Sequence, residues 1–306
     1  MRITNNMLIN NMMNQIGNNL TRMSKYQDQL ASGKKIQVPS DDPVVAARAL
    51  KLRTDVAEVT QYQSNVKDAQ SWLDITETTL GQIGDVIQRA RELAVQATNG
   101  TNTPSDTQKT QAEIQQLKNQ IAHLANTTYA GRYIFSGYQT DKPVMDSSGN
   151  YTISVNNNEG IKFEIGVGDD ILVNVTAGDV FNGVAGTSAA AGAPPANGMI
   201  SHFDNFISAL TTSNTAGLSQ AITDMESDLQ NVLRVRADIG ARQNRLELTS
   251  NRLDDDALNF TKLMSDNEDV DMASTIMNLS NEENVYKASL SGGARIIQPS
   301  LVDFLR

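Results

Sequence analysis

Residues 32–50 read SGKKIQVPSDDPVVAARAL, and this stretch stops one helix and starts the next. Gly33 lies where a left-handed helix cap is expected. The residue before Pro39 should be extended, because the proline ring disfavours the α region there. Asp42 can accept hydrogen bonds as the N-cap of the next helix, and Pro43 suits the first helical position. These helix-ending and helix-starting signals therefore predict two separate helices instead of one continuous helix.

Before this break, apolar residues recur at alternating steps of four and three positions, the spacing of a helix that packs lengthwise on another. The predicted seam of the first helix is Ile9, Met13, Ile16, Leu20, Met23 and Leu30, with Gln27 completing the register. A helix near the other end of the chain carries Met272, Ile276, Leu279, Tyr286 and Leu290 at related spacings. We therefore expect residues 1–32 to pair with residues 271–297.

The first helix is weak by composition. Residues 1–20 contain one charged side chain, Arg2, and their polar positions are mostly asparagine. Asparagine and an internal glycine each cost roughly 0.5–1 kcal/mol of helix stability relative to alanine. An isolated helix of this kind is marginal in water. We expect both terminal segments to fold when they pack among neighbouring subunits; the alternative is that their methionines form the ordinary core of a monomer.

The rest of the chain is predicted to be helical apart from its middle. A long second helix should run from Pro43 to Asn99, and Thr103-Pro104 should start a third. Residues 218–264 carry an unbroken alternation of four and three. Between the helices, apolar residues alternate with polar ones at 151–155, 161–167 and 171–175, which predicts a small antiparallel β domain.

The predicted fold class is therefore mainly α. Long antiparallel coiled-coil helices come from both chain ends, and a small β-rich domain is inserted at the tip. The predicted organisation has four parts: 1–32 with 271–306 as a terminal helical layer, 33–42 with 265–270 as spoke linkers, 43–132 with 199–264 as a helical rod, and 133–198 as a β-rich surface domain with a flexible connector.

Composition argues against several functions. The formal net charge is −10 and no basic stripe is visible, so we expect no nucleic-acid binding. No stretch approaches the ~20 apolar residues that span a bilayer, so we expect no membrane insertion. The chain has no cysteine and two histidines, and no nucleophile–base arrangement can be assembled. Asp254–Asp256 would point in different directions on a helix, so a solvated face is favoured over a metal site. We therefore predict neither an enzyme nor a cofactor or metal site.

Several long motifs, in the same order at both ends, resemble the bacterial flagellin family, and more closely its hook–filament junction members. The resemblance covers nearly all of the chain except about 140–200. The matching stretches are MRITNNM (1–7), the quoted stretch 32–50, NTTYAGRYIFSG (126–137), ADIGARQNRLE (237–247), EDVDMASTIMNLSNEENVYKASL (268–290) and IIQPSLVDFLR (296–306).

The resemblance implies a structural adaptor that joins the first hook-associated junction protein, on the hook side, to flagellin, and that also contacts copies of itself. It implies a secreted protein, exported unfolded by the flagellar type III apparatus and placed at the hook–filament junction. It also implies a cytoplasmic export chaperone bound near the C-terminal end, with Ile297, Leu301, Phe304 and Leu305 as candidates. The alternatives are flagellin itself, the filament subunit, and a cytoplasmic coiled-coil scaffold.

A further expectation concerns QRARELAVQ, residues 88–96. This stretch and Glu113 resemble the part of flagellin that innate immune receptors recognise, which points to Gln88, Arg89, Leu93, Gln96 and Glu113. The favoured interpretation is that these residues belong to an interface between neighbouring subunits.

Overall fold

The computed structural model describes residues 5–99, 103–156, 158–182 and 190–297 of the chain. Its elements, in order, are α1 (Asn5–Ser32), α2 (Pro43–Thr98), α3 (Pro104–Ala125), β1 (Thr128–Tyr129), β2 (Arg132–Tyr133), β3 (Lys162–Gly166), β4 (Asp169–Leu172), α4 (Ala177–Phe181), α5 (Met199–Thr212), α6 (Thr215–Glu268) and α7 (Met272–Ile297). Long helices from both ends and a few small antiparallel strands confirm the predicted mainly-α class. In the described part of the chain, no helix is long and apolar enough to cross a bilayer.

Helix boundaries follow the local chemistry of the sequence. α2 begins at Pro43 and ends one residue before the predicted Asn99. α3 begins at Pro104 behind a capping box, in which the side chains of Thr103 and Asp106 each bind the other residue's backbone N–H. α6 extends the predicted segment 218–264 by a few residues at each end.

The β-rich middle differs from the prediction. It holds two separate antiparallel pairs, β1 with β2 and β3 with β4, and the β1–β2 pair lies across the predicted boundary between the helical rod (43–132) and the β-rich domain (133–198). Residues 151–155 form no strand, although Tyr151 makes isolated bridges to Met145 and Gly192. Their alternate side chains are nevertheless buried. Alternation therefore predicted burial correctly, but it carries no information about whether a neighbouring backbone is available to pair.

The chain divides into two compact units, and both long helices contribute to each. Unit 1 comprises Met1–Glu58 with Asp256–Arg306, and unit 2 comprises Val59–Asp255. In unit 2, α2 and α6 run antiparallel: Gln63 donates to Asp254 (2.7 Å), whereas Asp74, further along α2, accepts from Gln243, earlier on α6 (2.8 Å).

Unit 2 has an extensive core. Its fully buried side chains include Leu73, Leu80, Ile83, Ile87, Ile114, Ile121, Phe135, Phe181, Phe203 and Phe206. Phe135 and Phe181 meet edge to face with ring centroids 5.8 Å apart, an arrangement favoured by the ring quadrupoles. α5 packs against α3 in the same unit.

Candidate functional site

In unit 1, α1 and α7 form an antiparallel pair. Met12 touches Gly293, Arg22 binds Glu282, and Lys34, just after α1, bridges to Asp269. As residue numbers rise along α1 they therefore fall along its partner. Both guanidinium contacts of Arg22 to the Glu282 carboxylate are close, at 2.8 and 3.0 Å.

The contact face of this pair differs from the predicted seam. Ile9, Ile16, Met23 and Leu30 are half-buried as expected, but the side chains of Met13 and Leu20 remain 60% and 42% exposed. Positions 12, 19 and 26 take the place of the predicted positions 13, 20 and 27. Asn19 is only 2% exposed, and its amide hydrogen-bonds to Glu282 across the pair.

α7 shows the same shift. Leu279 and Tyr286 are half-buried, whereas Ile276 and Leu290 stay 52% and 46% exposed. The least exposed positions of α7 also include Thr275, Glu282 and Gly293. A side chain at Gly293 would collide with the end of Met12, so the glycine permits close approach of the two helices.

The pair therefore packs through a face that mixes apolar and polar side chains, and it leaves further apolar positions uncovered. Among the described residues of α1 and α7, no apolar side chain is buried. The hydrophobic pattern of a helix reflects every surface that it packs against. Within one chain, α1 has only one terminal helix to pack against, so the pattern does not identify the face that this helix covers. Both helices thus present a second seam that nothing in the described chain covers.

The two spoke linkers are joined directly to each other. Gly33 adopts the left-handed conformation (φ 70°) and its N–H donates to Gln29 O (2.8 Å), which ends α1. Lys35 N–H then donates to Glu268 O (2.7 Å), and Val270 N–H donates to Gly33 O (3.0 Å). These bonds form a short antiparallel bridge between segments that are far apart in sequence.

A charge cluster closes this bridge. The Glu268 side chain is 2% exposed and receives two 2.7 Å hydrogen bonds from the Arg53 guanidinium. Lys34 Nζ lies 3.4 Å from Glu268 and 2.6 Å from Asp269. We call the bridge and these four side chains the linker latch. Sequence analysis missed Arg53 and Glu268, because nothing in either local sequence indicates a partner 215 positions away.

Electrostatics in the linker latch favour the charged forms. The hydrogen bonds from Arg53 hold the pKa of Glu268 below its ordinary value of 4.5, with a smaller contribution from Lys34. The hydrogen bond to Asp269 raises the pKa of Lys34, and the same contact lowers the pKa of Asp269. A buried carboxylate with fixed cationic partners is the arrangement expected for a structural tie.

Aspartates order the ends of the linkers. Asp42 Oδ1 accepts from the N–H groups of Val44 and Val45 (3.0 and 3.1 Å), so it caps α2 in front of Pro43. Asp271 caps α7 in the same way, through Ala273 and Ser274. Pro39 lies at the second position of a turn closed by Asp41 N–H on Val38 O (3.0 Å). Backbone hydrogen bonds from Gln37 and Val38 also lower the pKa of Asp41.

The remaining predicted residues fall elsewhere. In unit 2, Arg89 binds Glu113 (Nε–Oε1 2.8 Å), and Gln88 and Gln96 are exposed. Leu93 is 3% exposed, so it packs inside the unit. Of the chaperone candidates, Ile297 is the last residue of α7, and Leu301, Phe304 and Leu305 lie outside the described residues.

A catalytic protein could use a metal-binding site or a histidine-based site. The described residues contain no group of three or more His, Asp or Glu placed to hold a metal ion. His202 in unit 2 contacts Asp228 (Nδ1–Oδ2 2.9 Å), and both side chains are largely enclosed by packing. The pair ties α5 to α6, since each helix supplies one partner.

Comparison with known proteins places these features in a family. Residues 3–140 match the bacterial flagellin N-terminal helical region, and residues 220–305 match the bacterial flagellin C-terminal helical region. The flagellar hook-associated protein 3 of Escherichia coli (strain K12) is 32% identical over 303 residues, covering 94% of this chain and 95% of that protein. The flagellin of Bacillus subtilis (strain 168) is 29% identical over 295 residues, covering 94% of each.

A solved structure shares the fold. The flagellar hook-associated protein 3 of Legionella pneumophila superposes with a TM-score of 0.59 at 18% identity, covering 69% of this chain and 98% of that one. The two matched regions contain α1, α7 and both spoke linkers, where the candidate site lies. The chain therefore belongs to the bacterial flagellin family, a family of structural flagellar proteins, and its relatives include flagellar hook-associated protein 3.

Proposed function

We propose that this protein is a structural adaptor of the flagellum, which joins the hook to the flagellin filament and has no catalytic role. The observation that carries the proposal is the terminal helix pair. The apolar side chains between α1 and α7 are at most half-buried in the described residues, and Met13, Leu20, Ile276 and Leu290 stay exposed to solvent. We expect another protein to cover these apolar positions, because they recur at helical spacing along both terminal helices.

The partners follow from the relatives. The hook-associated relative shares more of its sequence with this chain (32% identity) than the Bacillus subtilis flagellin does (29%), which favours the junction over the filament. We therefore assign the first hook-associated junction protein and flagellin as the two neighbours. Copies of the chain itself would complete the layer. In this plan the terminal segments 1–32 and 271–306 form the assembly layer, the linker latch connects it to the helical rod, and the β-rich segment 133–198 stays at the surface.

Export fits the same plan. A chain secreted through the hollow flagellum by the type III apparatus must travel unfolded, and helices without a buried apolar seam resist unfolding least. We assign the segment containing Ile297, Leu301, Phe304 and Leu305 to an export chaperone before assembly. Its apolar side chains would return to subunit contacts at the junction.

The alternative is that the chain is flagellin, which the similarity to the Bacillus subtilis flagellin supports. Deleting the gene in a motile host separates the two. We expect electron microscopy to show hooks without filaments and an assay of the medium to show released flagellin. Hooks without filaments and no flagellin anywhere would identify the chain as the filament subunit. If the host has no second copy of the gene, normal filaments would contradict a flagellar role.

A further inference from the structure

α5 and α6 form a helical hairpin within unit 2. The turn between them is tight, with Ser213 in the left-handed conformation (φ 50°). Ala209 lies against Gly217 beside this turn, whereas His202 meets Asp228 far from it. Residue numbers therefore fall along α5 as they rise along α6, so the two helices run antiparallel. The His202–Asp228 contact ties down the first turn of α5, which is the end that the Ser213 turn does not hold.

This tie is enclosed, and its hydrogen bonding is incomplete. His202 Nδ1 lies 2.9 Å from Asp228 Oδ2, and the two side chains are 12% and 1% exposed. The other carboxylate oxygen, Asp228 Oδ1, is buried and has no hydrogen-bond partner in the described part of the chain. An enclosed carboxylate is costly unless a cation neutralises it. The protonated imidazole of His202 is such a cation, so the charge state of one histidine decides how well the tie holds.

His202 is the only cationic partner of Asp228 among the described residues. The further charged or titratable groups on the elements packed around the pair are Lys118 and His123 on α3, Asp146 in the loop before Tyr151, Asp179 on α4, Asp204 on α5, and Asp224 and Arg234 on α6. Lys118 is ion-paired with Asp204, and Arg234 donates to Asn231. Asp224 adds its negative charge to that of Asp228 and so favours the protonated imidazole.

The pKa shifts of the two groups act in the same direction. Burial alone would lower the pKa of His202, but the hydrogen bond and charge of Asp228 outweigh it, and this pKa lies above the ordinary 6.5. Burial raises the pKa of Asp228 above its ordinary 3.8, and His202 offsets only part of that effect. The folded chain thus holds a proton on the pair more tightly than the unfolded chain does. The contribution of His202 to stability is therefore complete below pH 6.5 and is lost as the pH rises through its raised pKa.

We propose that His202 and Asp228 form a proton-operated brace: with the proton bound, the brace holds the first turn of α5 on α6, and release of that proton in mildly alkaline medium lets this turn open more often. The apolar face of α5, which includes the buried Phe203 and Phe206, keeps the rest of the helix docked. The brace therefore controls local opening and does not unfold the unit. It lies within unit 2 and does not depend on how the terminal helices assemble.

The first turn of α5 also anchors part of the β-rich segment. Residues 190–198 lead into this turn, and within them Gly192 bridges to Tyr151. In the turn itself, Ile200 lies against Gly149. Opening of the turn therefore loosens the segment where it joins α5, so the brace makes this attachment firmer in mild acid than in mild alkali.

Titration of His202 by NMR tests the charge state of the brace. The chain has two histidines, so the signal of His202 is identified by comparison with His123→Gln. We expect His202 to titrate above pH 6.5 in the wild type and below 6.5 in Asp228→Asn, because burial then acts without the opposing carboxylate. Asp224→Asn, which removes the same charge one turn earlier on α6, should shift the titration less. A wild-type His202 that titrates below 6.5, or one that Asp228→Asn leaves unchanged, would overturn the proposal.

Hydrogen exchange tests the opening of the turn. Protection factors, which correct for the intrinsic effect of pH on exchange, would be compared at about pH 6 and about pH 9. At the amides of Phe203 and Phe206 we expect protection to fall at least threefold at the higher pH in the wild type. It should not fall in His202→Asn, which keeps a hydrogen-bond donor but does not titrate. Leu210, close to the Ser213 turn, is the internal control. Equal pH dependence in the wild type and in His202→Asn would refute the brace, even if His202 titrates as expected.

Discussion

At the scale of single residues, Arg53 and Glu268 carry the linker latch. Replacing Arg53 with Gln leaves a carboxylate that is 2% exposed with Lys34 as its remaining ionic partner. Loss of a charged hydrogen-bond partner from an enclosed group costs about 1–3 kcal/mol. We expect the free energy of local opening to fall by that order, measured by hydrogen exchange at the amides of Lys35 and Val270. Arg48→Gln, exposed on the same helix, should leave both amides unchanged; equal exchange in the two variants would contradict a role for Arg53.

The same carboxylate makes the linker latch sensitive to acid. The folded-state pKa of Glu268 lies below its ordinary 4.5, so its contribution is complete above that value and is lost as the pH falls through the lowered pKa. NMR titration of the Glu268 side chain should give a pKa below 4.5 in the wild type and a higher one in Arg53→Gln. If the two titrations coincide, hydrogen bonding from Arg53 does not control this group.

Local chemistry at the caps was predictable residue by residue, whereas the latch was not. An aspartate followed by a proline indicates where a helix begins, and a glycine after the last seam position indicates where one ends. Each signal lies within a few neighbouring residues. Gly33, Asp42 and Pro43 show that such signals locate the helix ends in the structure. Arg53 and Glu268 meet only after both linkers have folded, so no local pattern identifies them.

At the scale of elements, each terminal helix has two seams with different uses. Met13→Asp changes an α1 position that is 60% exposed, so unfolding of the purified chain should shift by no more than about 0.5 kcal/mol. The same variant should lose attached filaments, because a charge then replaces an apolar subunit contact. Leu279→Asp, in the half-buried seam, is the comparison and should lower the melting temperature of unit 1. A strongly destabilised Met13→Asp chain would show that this position is already covered within the chain.

The seams also show how far an element can be predicted. Spacing of four and three correctly predicted that α1 and α7 are helices, and the predicted pairing of the two ends is present. The spacing did not predict which face of α1 contacts α7 in the same chain, because the apolar pattern of a helix reflects its contacts within the chain and with other subunits alike. Asn19, the most buried side chain described on α1, was therefore missed. The strand pattern at 151–155 failed for a related reason, since burial alternates there but the backbone forms only isolated bridges.

At the scale of the whole molecule, the two units differ in what holds them together. Unit 2 encloses many large apolar side chains at or near 0% exposure. In the terminal pair of unit 1 the described apolar side chains are at most half-buried, and polar contacts, the linker latch and helix caps add to them. Burial of apolar side chains contributes about 1.5–3 kcal/mol each, so the core of unit 2 should open far less often than the α1–α7 pair.

Limited proteolysis of the purified chain follows from this difference. Trypsin should cut first within roughly 1–35 and 270–306, where Arg22, Lys25, Lys34, Lys35 and Lys287 are available, and should leave the segment between resistant. Cleavage at lysines and arginines of unit 2 is the internal control, because these sites are exposed to the same trypsin in the same reaction. In isolated flagella the early sites should become protected, since neighbouring subunits then cover the exposed seams. A free chain that resists cleavage at both ends would mean that α1 and α7 are stable as a pair, and that assembly adds contacts to ends already folded.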